Sequence, residues 1–406
     1  MRDAGVDAGA ARRDAGSRED AGETDAGPSD PNWLPVAGLP DYCPIAVAAD
    51  PERLWRFEWE DCGTGCRRTT PNLAPGAAVG RPLDAWYTPQ GAFYSFLSSD
   101  VPTGMRVIVL VDETGRARVA WRMLRITAGA RYTCLVSTVV VGGSQVAFHI
   151  RFRDAENAEN DGAALYLAPL DMPVPPNLAP VVQIAASLVP VGRTVGRMWA
   201  SDDVLGYQMS PDGLLALWAP DQHQFLNTPP IDYPADRIFV VAERAYWQAY
   251  GATVHLRRAT YPDDNVPYYA PAGRDIWSFG TDGSTAAWME VDSTGAAELW
   301  TGTLTAGSDP FAPRRVRAVE ARYVGTTGGH WFAFGASEPT GGPQYLRVFD
   351  LDTGERRERN PGDGAALSGD PYFATDDRVD YAAGTVASGL RIYSVDPNTL
   401  PLAAVQ

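Results

Sequence analysis

Two of the chain's four cysteines, Cys62 and Cys66, flank Gly63-Thr64-Gly65 in the stretch WEDCGTGCRR; the others are Cys43 and Cys134. Three chemistries compete for such a set. Structural zinc takes four Cys or His ligands, usually from two closely spaced pairs, and a lone C-x3-C with no neighbouring His fits it poorly. A redox pair is more often C-x-x-C opening a helix, whose N-terminus lowers a thiol pKa, and no helical pattern follows Cys66. Disulfides remain. If LWRFEWED and CRRTT are adjacent strands, Gly-Thr-Gly turns the chain and sets Cys62 opposite Cys66. On the chain-entropy model that small loop contributes about 2 kcal/mol, and a Cys43–Cys134 bridge about 4.6 kcal/mol. Four cysteines allow three connectivities, so this pairing is a preference.

The histidines are His149, His223, His255 and His330. His149 and His255 alternate with apolar neighbours (VAFHIRF, TVHLRR) and read as packed or strand-face residues, and none stands in an H-x-H or H-E-x-x-H pattern. The chain has no G-x-S-x-G elbow, P-loop or dinucleotide fingerprint, so no catalytic residue, metal ligand or cofactor is assigned. The best ligand-like segment is TYPDDNVPYYAPAGRDIW, residues 260–277. There Tyr261, Tyr268 and Tyr269 are candidates to stack on a sugar or peptide, with Asp263 and Asp264 as acceptors. The competing reading is a Pro- and Tyr-rich connection that merely packs.

What must position these residues follows from composition. The 406 residues include 40 Gly and 33 Pro, too many for long helices, while Val, Tyr, Trp and Thr recur in short blocks between them. The chain is therefore expected to be all-β. A net charge of -16 opposes nucleic-acid binding, which needs concentrated positive charge. Every basic residue is Arg, to which no function is attached.

From about residue 88 one pattern recurs: an alternating strand, a Gly/Asp turn, then an aromatic and aliphatic strand. The turns fall near 114, 161, 212, 251, 294, 340 and 387. Seven units spaced by roughly 40 to 50 residues, with several short strands each, predict a β-propeller. Unit five divides into RDIWSFGT, TAAWMEV, AAELWTGTL and RRVRAVE, and unit six into ARYVGTT, HWFAFGAS, QYLRVFDLD and ERRERN. Inner strands are nearly continuous apolar runs, and charged last strands suit an outer edge. The expectation is a seven-bladed propeller of four-stranded antiparallel blades over 36–406, with residues 36–87 as N-terminal strands at the closing seam; eight blades is the alternative.

SPDG at 210–213 and DLDTGE at 350–355 resemble the turns of TolB-like and WD40-like propellers, where they close the second-to-third and third-to-fourth strands. The Gly-His and Trp-Asp signature of true WD40 repeats is missing, so adaptor biology is not implied. WEDCGTGC is similar to a Trp-x-x-Cys-Gly-x-Gly-Cys piece of propeller-like exported proteins of myxobacteria. The leader, residues 1–35, carries Asp-Ala-Gly at 3, 7, 14, 20 and 25 and no large apolar residue between Val6 and Trp33. It reads as a disordered linker. It resembles the spacers that follow the lipid-anchoring cysteine in exported lipoproteins of myxobacteria, although no lipobox precedes it here. The resemblance implies an exported outer-membrane, cell-surface or periplasmic protein, tied to a membrane only through a lipid anchor upstream. The expected function is a monomeric, non-enzymatic binding or scaffold propeller for a protein or carbohydrate ligand. The alternative is a glycan-active hydrolase or lyase with a funnel active site.

Overall fold

The computed structural model describes residues 33 to 403 apart from inter-strand segments, the longest being 36–44, 124–131, 171–181, 184–193, 226–234 and 304–312; between 151 and 268 it describes chiefly backbone. Among the described residues the strands form seven antiparallel sheets. The fifth runs through Arg274–Thr281, Thr285–Asp292, Ala297–Thr303 and Arg314–Val319, each pairing with the next. The sixth repeats this with Gly325–Gly328, Trp331–Ser337, Gln344–Asp350 and Arg356–Arg359. The fifth sheet and the last three strands of the sixth match the segments expected from the sequence to within about two residues; of the expected ARYVGTT, residues 321–324 lie outside the described residues and the strand is Gly325–Gly328.

The innermost strands of successive sheets touch in order: Ala77–Thr88, Tyr132–Gly142, Thr194–Ala200, Ala235–Val241, Arg274–Thr281, Gly325–Gly328 and Phe373–Thr375, which returns to the first. The chain is thus a β-propeller, a closed ring of radial sheets. Middle strands that are covered on both faces carry consecutive buried apolar residues, as in Ala286-Ala287-Trp288-Met289. In Met105–Asp112 the consecutive run is divided by the pleat: Ile108 and Leu110 pack toward the second sheet, with Val139, Val146 and Phe148, while Val107, Val109 and Val111 pack toward the last, with Phe373 and Ile392. The core is therefore a set of layers between sheets. The inner ring is tight enough to bend its members. Ser278 is held at φ 59 beside a bulge, and its Oγ accepts the Gly325 N–H of the next inner strand at 2.6 Å.

Outer edges are protected in two ways. Arg314–Val319 is largely exposed and Arg-rich, whereas Arg356–Arg359 is covered by the C-terminal tail, with Glu358 N donating to Pro401 O at 3.1 Å and Ala403 N to Arg356 O at 2.9 Å.

The N-terminal segment fastens both sides of the seam. Trp33–Pro35 and Ile45–Ala48 extend the outer edge of the first sheet; after a short helix, Pro51–Leu54, the hairpin Trp55–Asp61 and Cys66–Leu73 extends the last sheet beyond Gly389–Val395. Four strands per sheet therefore holds for five sheets, while the first and last carry six because this segment adds to each. Two boundaries move. Trp33–Pro35, placed with the leader by composition, is a strand whose Trp33 ring lies 5.8 Å from Trp55; the leader before it lies outside the described residues. Ala77–Thr88, placed with the seam strands, is the inner strand of the first sheet. One turn is also out of phase: Asp112-Glu113-Thr114-Gly115 joins the third and fourth strands of its sheet, whereas Asp292-Ser293-Thr294-Gly295 joins the second and third. Both turns are built alike. Asp112 Oδ1 accepts Thr114 N and Oγ1 at 2.9 and 2.6 Å, and Asp292 Oδ1 accepts Thr294 N and Oγ1 at 2.8 and 2.6 Å. A local turn motif carries no information about which pair of strands it joins.

Candidate binding site at the closing seam

The hairpin strand WRFEWED alternates. Trp55 and Phe57 are buried against the first sheet, while Glu58 and Glu60 face solvent. Two bonds dock it on the turn of that sheet: Phe57 N donates to Gly115 O at 3.1 Å and Trp59 Nε1 to Glu113 O at 2.9 Å. Cys62 and Cys66 are joined by a disulfide across the hairpin mouth, Cα to Cα 5.1 Å. Asp61 Oδ1 accepts Gly63 N at 2.7 Å, and Gly65 O accepts Asp396 N at 2.7 Å, fixing the turn to the last sheet. Gly65 sits at φ +63, where an added Cβ would lie 2.2 Å from Thr399 Oγ1, so both conformation and space require glycine.

Beneath the hairpin lies a buried charge cluster that joins the last sheet to the first. Arg378 donates to both carboxylate oxygens of Asp380, at 2.7 and 2.8 Å, to Glu113 Oε2 at 2.8 Å, and to the Tyr94 hydroxyl. Tyr94 in turn donates to Asp380, which is fully buried. Burial opposes the charge on Arg378, but Asp380, Tyr94 and Glu113 outweigh it and hold the guanidinium protonated. Burial and then Asp380 push the Tyr94 phenol well above its ordinary range, so it stays a donor. Such a cluster is structural: its members satisfy one another.

Above it opens a cleft of about 560 Å³ lined by Trp59, Asp61, Arg67, Asp377, Arg378 and Asp396, among others. The Arg67 guanidinium lies over the Trp59 ring, 4.5 Å from its centroid. Its neighbour Arg68 pairs with Glu60 at 3.1 Å. Arg67 makes no ion pair among the described residues. The acidic lining is held by local bonds, with Asp377 Oδ1 accepting Thr375 Oγ1 at 2.9 Å and Asp396 Oδ1 accepting Asn398 N at 2.9 Å.

The residues singled out from sequence fall elsewhere. Tyr261, Asp263 and Asp264 lie outside the described residues, and Tyr268 is described only by its place in the outer strand Val266–Tyr269 of the fourth sheet. Tyr269 donates to Glu290 Oε1 at 2.6 Å and packs 5.2 Å from Trp288, which itself donates to Glu290 Oε1 at 3.0 Å. Burial and then Glu290 raise its phenol above the usual range. Its hydroxyl thus ties the fourth sheet to the fifth. Cys43 lies outside the described residues, and Cys134 is described only as part of the strand Tyr132–Gly142. His149 is fully buried, and His330 bridges the sixth and last sheets through Nδ1 to Asp376 Oδ1 at 3.0 Å. Among the described residues no group of three or more His, Cys, Asp or Glu is placed to hold a metal ion. Tyr94, Glu113, Arg378 and Asp380 were not found from sequence. Nothing local marks them, since Tyr94 and Asp380 are 286 residues apart.

No family model matches the chain, and no curated protein does. Among solved structures it is similar to the β-propeller domain of the Trilobed protease from Pyrococcus furiosus, at 11% identity, covering 81% of this chain and 98% of that one, with a TM-score of 0.49. It is also similar to the Pyrococcus horikoshii acylaminoacyl peptidase, at 11% identity over 81% of this chain and 52% of that one, TM-score 0.48. A puromycin-hydrolyzing peptidase of Mycobacterium tuberculosis gives 14% identity over 81% and 52%, TM-score 0.47. The chain spans about half the length of these two peptidases.

Proposed function

We propose that this chain is a non-enzymatic binding propeller of the cell envelope, exported and held there by a lipid anchor upstream through the Asp-Ala-Gly leader. The observation that carries the reading is the seam cleft. It combines an aromatic ring, a cation without an ionic partner among the described residues and several carboxylates on a rigid ring, while the buried charges beneath it are committed to one another. That composition suits recognition. A disulfide within the hairpin favours an oxidising compartment, and the leader's resemblance to lipoprotein spacers points the same way.

Two measurements test this. Fractionation of the producing cells is expected to place the protein in the envelope or medium, and recovery from the cytosol alone would overturn the location. Peptide and glycan panels incubated with purified protein are expected to give retention without product. Conversion of any retained compound would instead favour a glycan-active or other hydrolytic enzyme.

A further inference from the structure

The cleft at the seam holds charges of both signs that the fold does not itself reconcile. Arg68, Arg116, Arg118 and Arg378 each pair with a carboxylate, at distances including 3.1 Å to Glu60 and 2.8 Å to Asp112. Arg67, one residue from Arg68 and lining the same cleft as four carboxylates, pairs with none among the described residues. Trp59 accounts for the difference. The ring engages the guanidinium, whose N–H groups make no hydrogen bond among the described residues, an arrangement that suits forked recognition of a carboxylate.

A simple anion does not fit the rest of the lining. Asp61, Asp377 and Asp396 face it, Glu60 is paired with Arg68, and the second guanidinium, Arg378, is already neutralised by Asp380 and Glu113. With a net charge of -16 behind it, the cleft repels a phosphate or sulfate. A simple cation fits no better, because it would leave Arg67 unpaired beside it. A ligand carrying both signs satisfies both sets, and a cleft of about 560 Å³ lies within the roughly 300 to 1,000 Å³ of ordinary small-ligand sites.

We infer that the seam cleft takes a zwitterionic ligand of amino-acid or short-peptide type, its carboxylate on Arg67 and its ammonium group among Asp61, Asp377 and Asp396. The inference rests on reading the chain as a binding module. Beside the charged groups, Val395 and Cys66 supply an apolar wall for a small side chain.

Calorimetric titration of the full chain with alanyl-alanine, its C-terminal amide, its N-acetyl form and inorganic phosphate separates the alternatives. The dipeptide is expected to bind, and both blocked forms to bind more than about tenfold more weakly, the loss of one charge-assisted pair. Phosphate is expected to give no heat. Arg67→Met, checked for an unchanged melting curve, should lose the dipeptide, and Asp377→Asn should weaken it while leaving the fold intact. Equal affinity for the dipeptide and its amide, phosphate binding as tight as the dipeptide, or no binding at all would each overturn the assignment. Hydrolysis of the dipeptide that Arg67→Met abolishes would uphold the ligand class and overturn the non-enzymatic reading.

Discussion

At the residue scale, the seam is held by groups that have no value apart from one another. Asp380 is fully buried and accepts from Arg378 and Tyr94, so Asp380→Ala leaves the buried Arg378 with Glu113 as its one carboxylate among the described residues and is expected to lower stability by about 3 kcal/mol. Chemical denaturation would show this as an early midpoint; an unchanged midpoint would mean that the cluster does not hold the ring. His149 offers a pH test. Burial, with a smaller contribution from Arg151, pushes its pKa down to about 4 from an ordinary 6.5. The unfolded chain then binds the proton more readily than the native one. Stability from this residue is complete above pH 6.5 and is lost as pH falls toward 4, by at most about 3 kcal/mol. Urea midpoints of His149→Gln should therefore fall less steeply than those of the parent between pH 6.5 and 4.5, and parallel curves would refute the assignment. These two sites differ in legibility. His149 was readable as a packed histidine because its strand neighbours are apolar, whereas Arg378 and Asp380 look like any surface pair in RVD until the first sheet closes over them.

At the element scale, the hairpin Trp55–Asp61 and Cys66–Leu73 is the clasp of the ring. Reducing Cys62–Cys66 should remove about 2 kcal/mol on the chain-entropy model and loosen the turn that receives Asp396 N. Thermal melts with and without reductant, followed through intrinsic tryptophan fluorescence, are expected to show a lower midpoint under reduction; identical melts would leave the disulfide without a mechanical role. Elements were the most legible level. The strands of the fifth sheet and the last three of the sixth stand where alternation and Gly/Asp turns put them, because both signals are local. The turn at 112–115 fell out of phase for the same reason: its hydrogen bonds are complete within a few residues and say nothing of the sheet around it.

At the scale of the whole molecule, stability depends on inner strands approaching closely enough to shut the ring. A Cβ on Gly328 would lie 1.6 Å from Ala374 O of the last sheet, a clash with backbone that no rotamer relieves. Gly328→Ala is therefore expected to cost about 3 kcal/mol and to reduce the cooperativity of calorimetric unfolding. A variant that melts like the parent would show that the ring has slack. The sequence by itself determined the all-β character, the repeating units and the strands within the best of them, since side-chain alternation and turn chemistry act over a few residues. Only the tertiary structure decided that the N-terminal segment clasps both the first and the last sheet, that Tyr94 meets Asp380, and that Arg67 stands over Trp59. Those arrangements depend on closing a ring across some 300 residues, and no local pattern encodes which distant edges will meet.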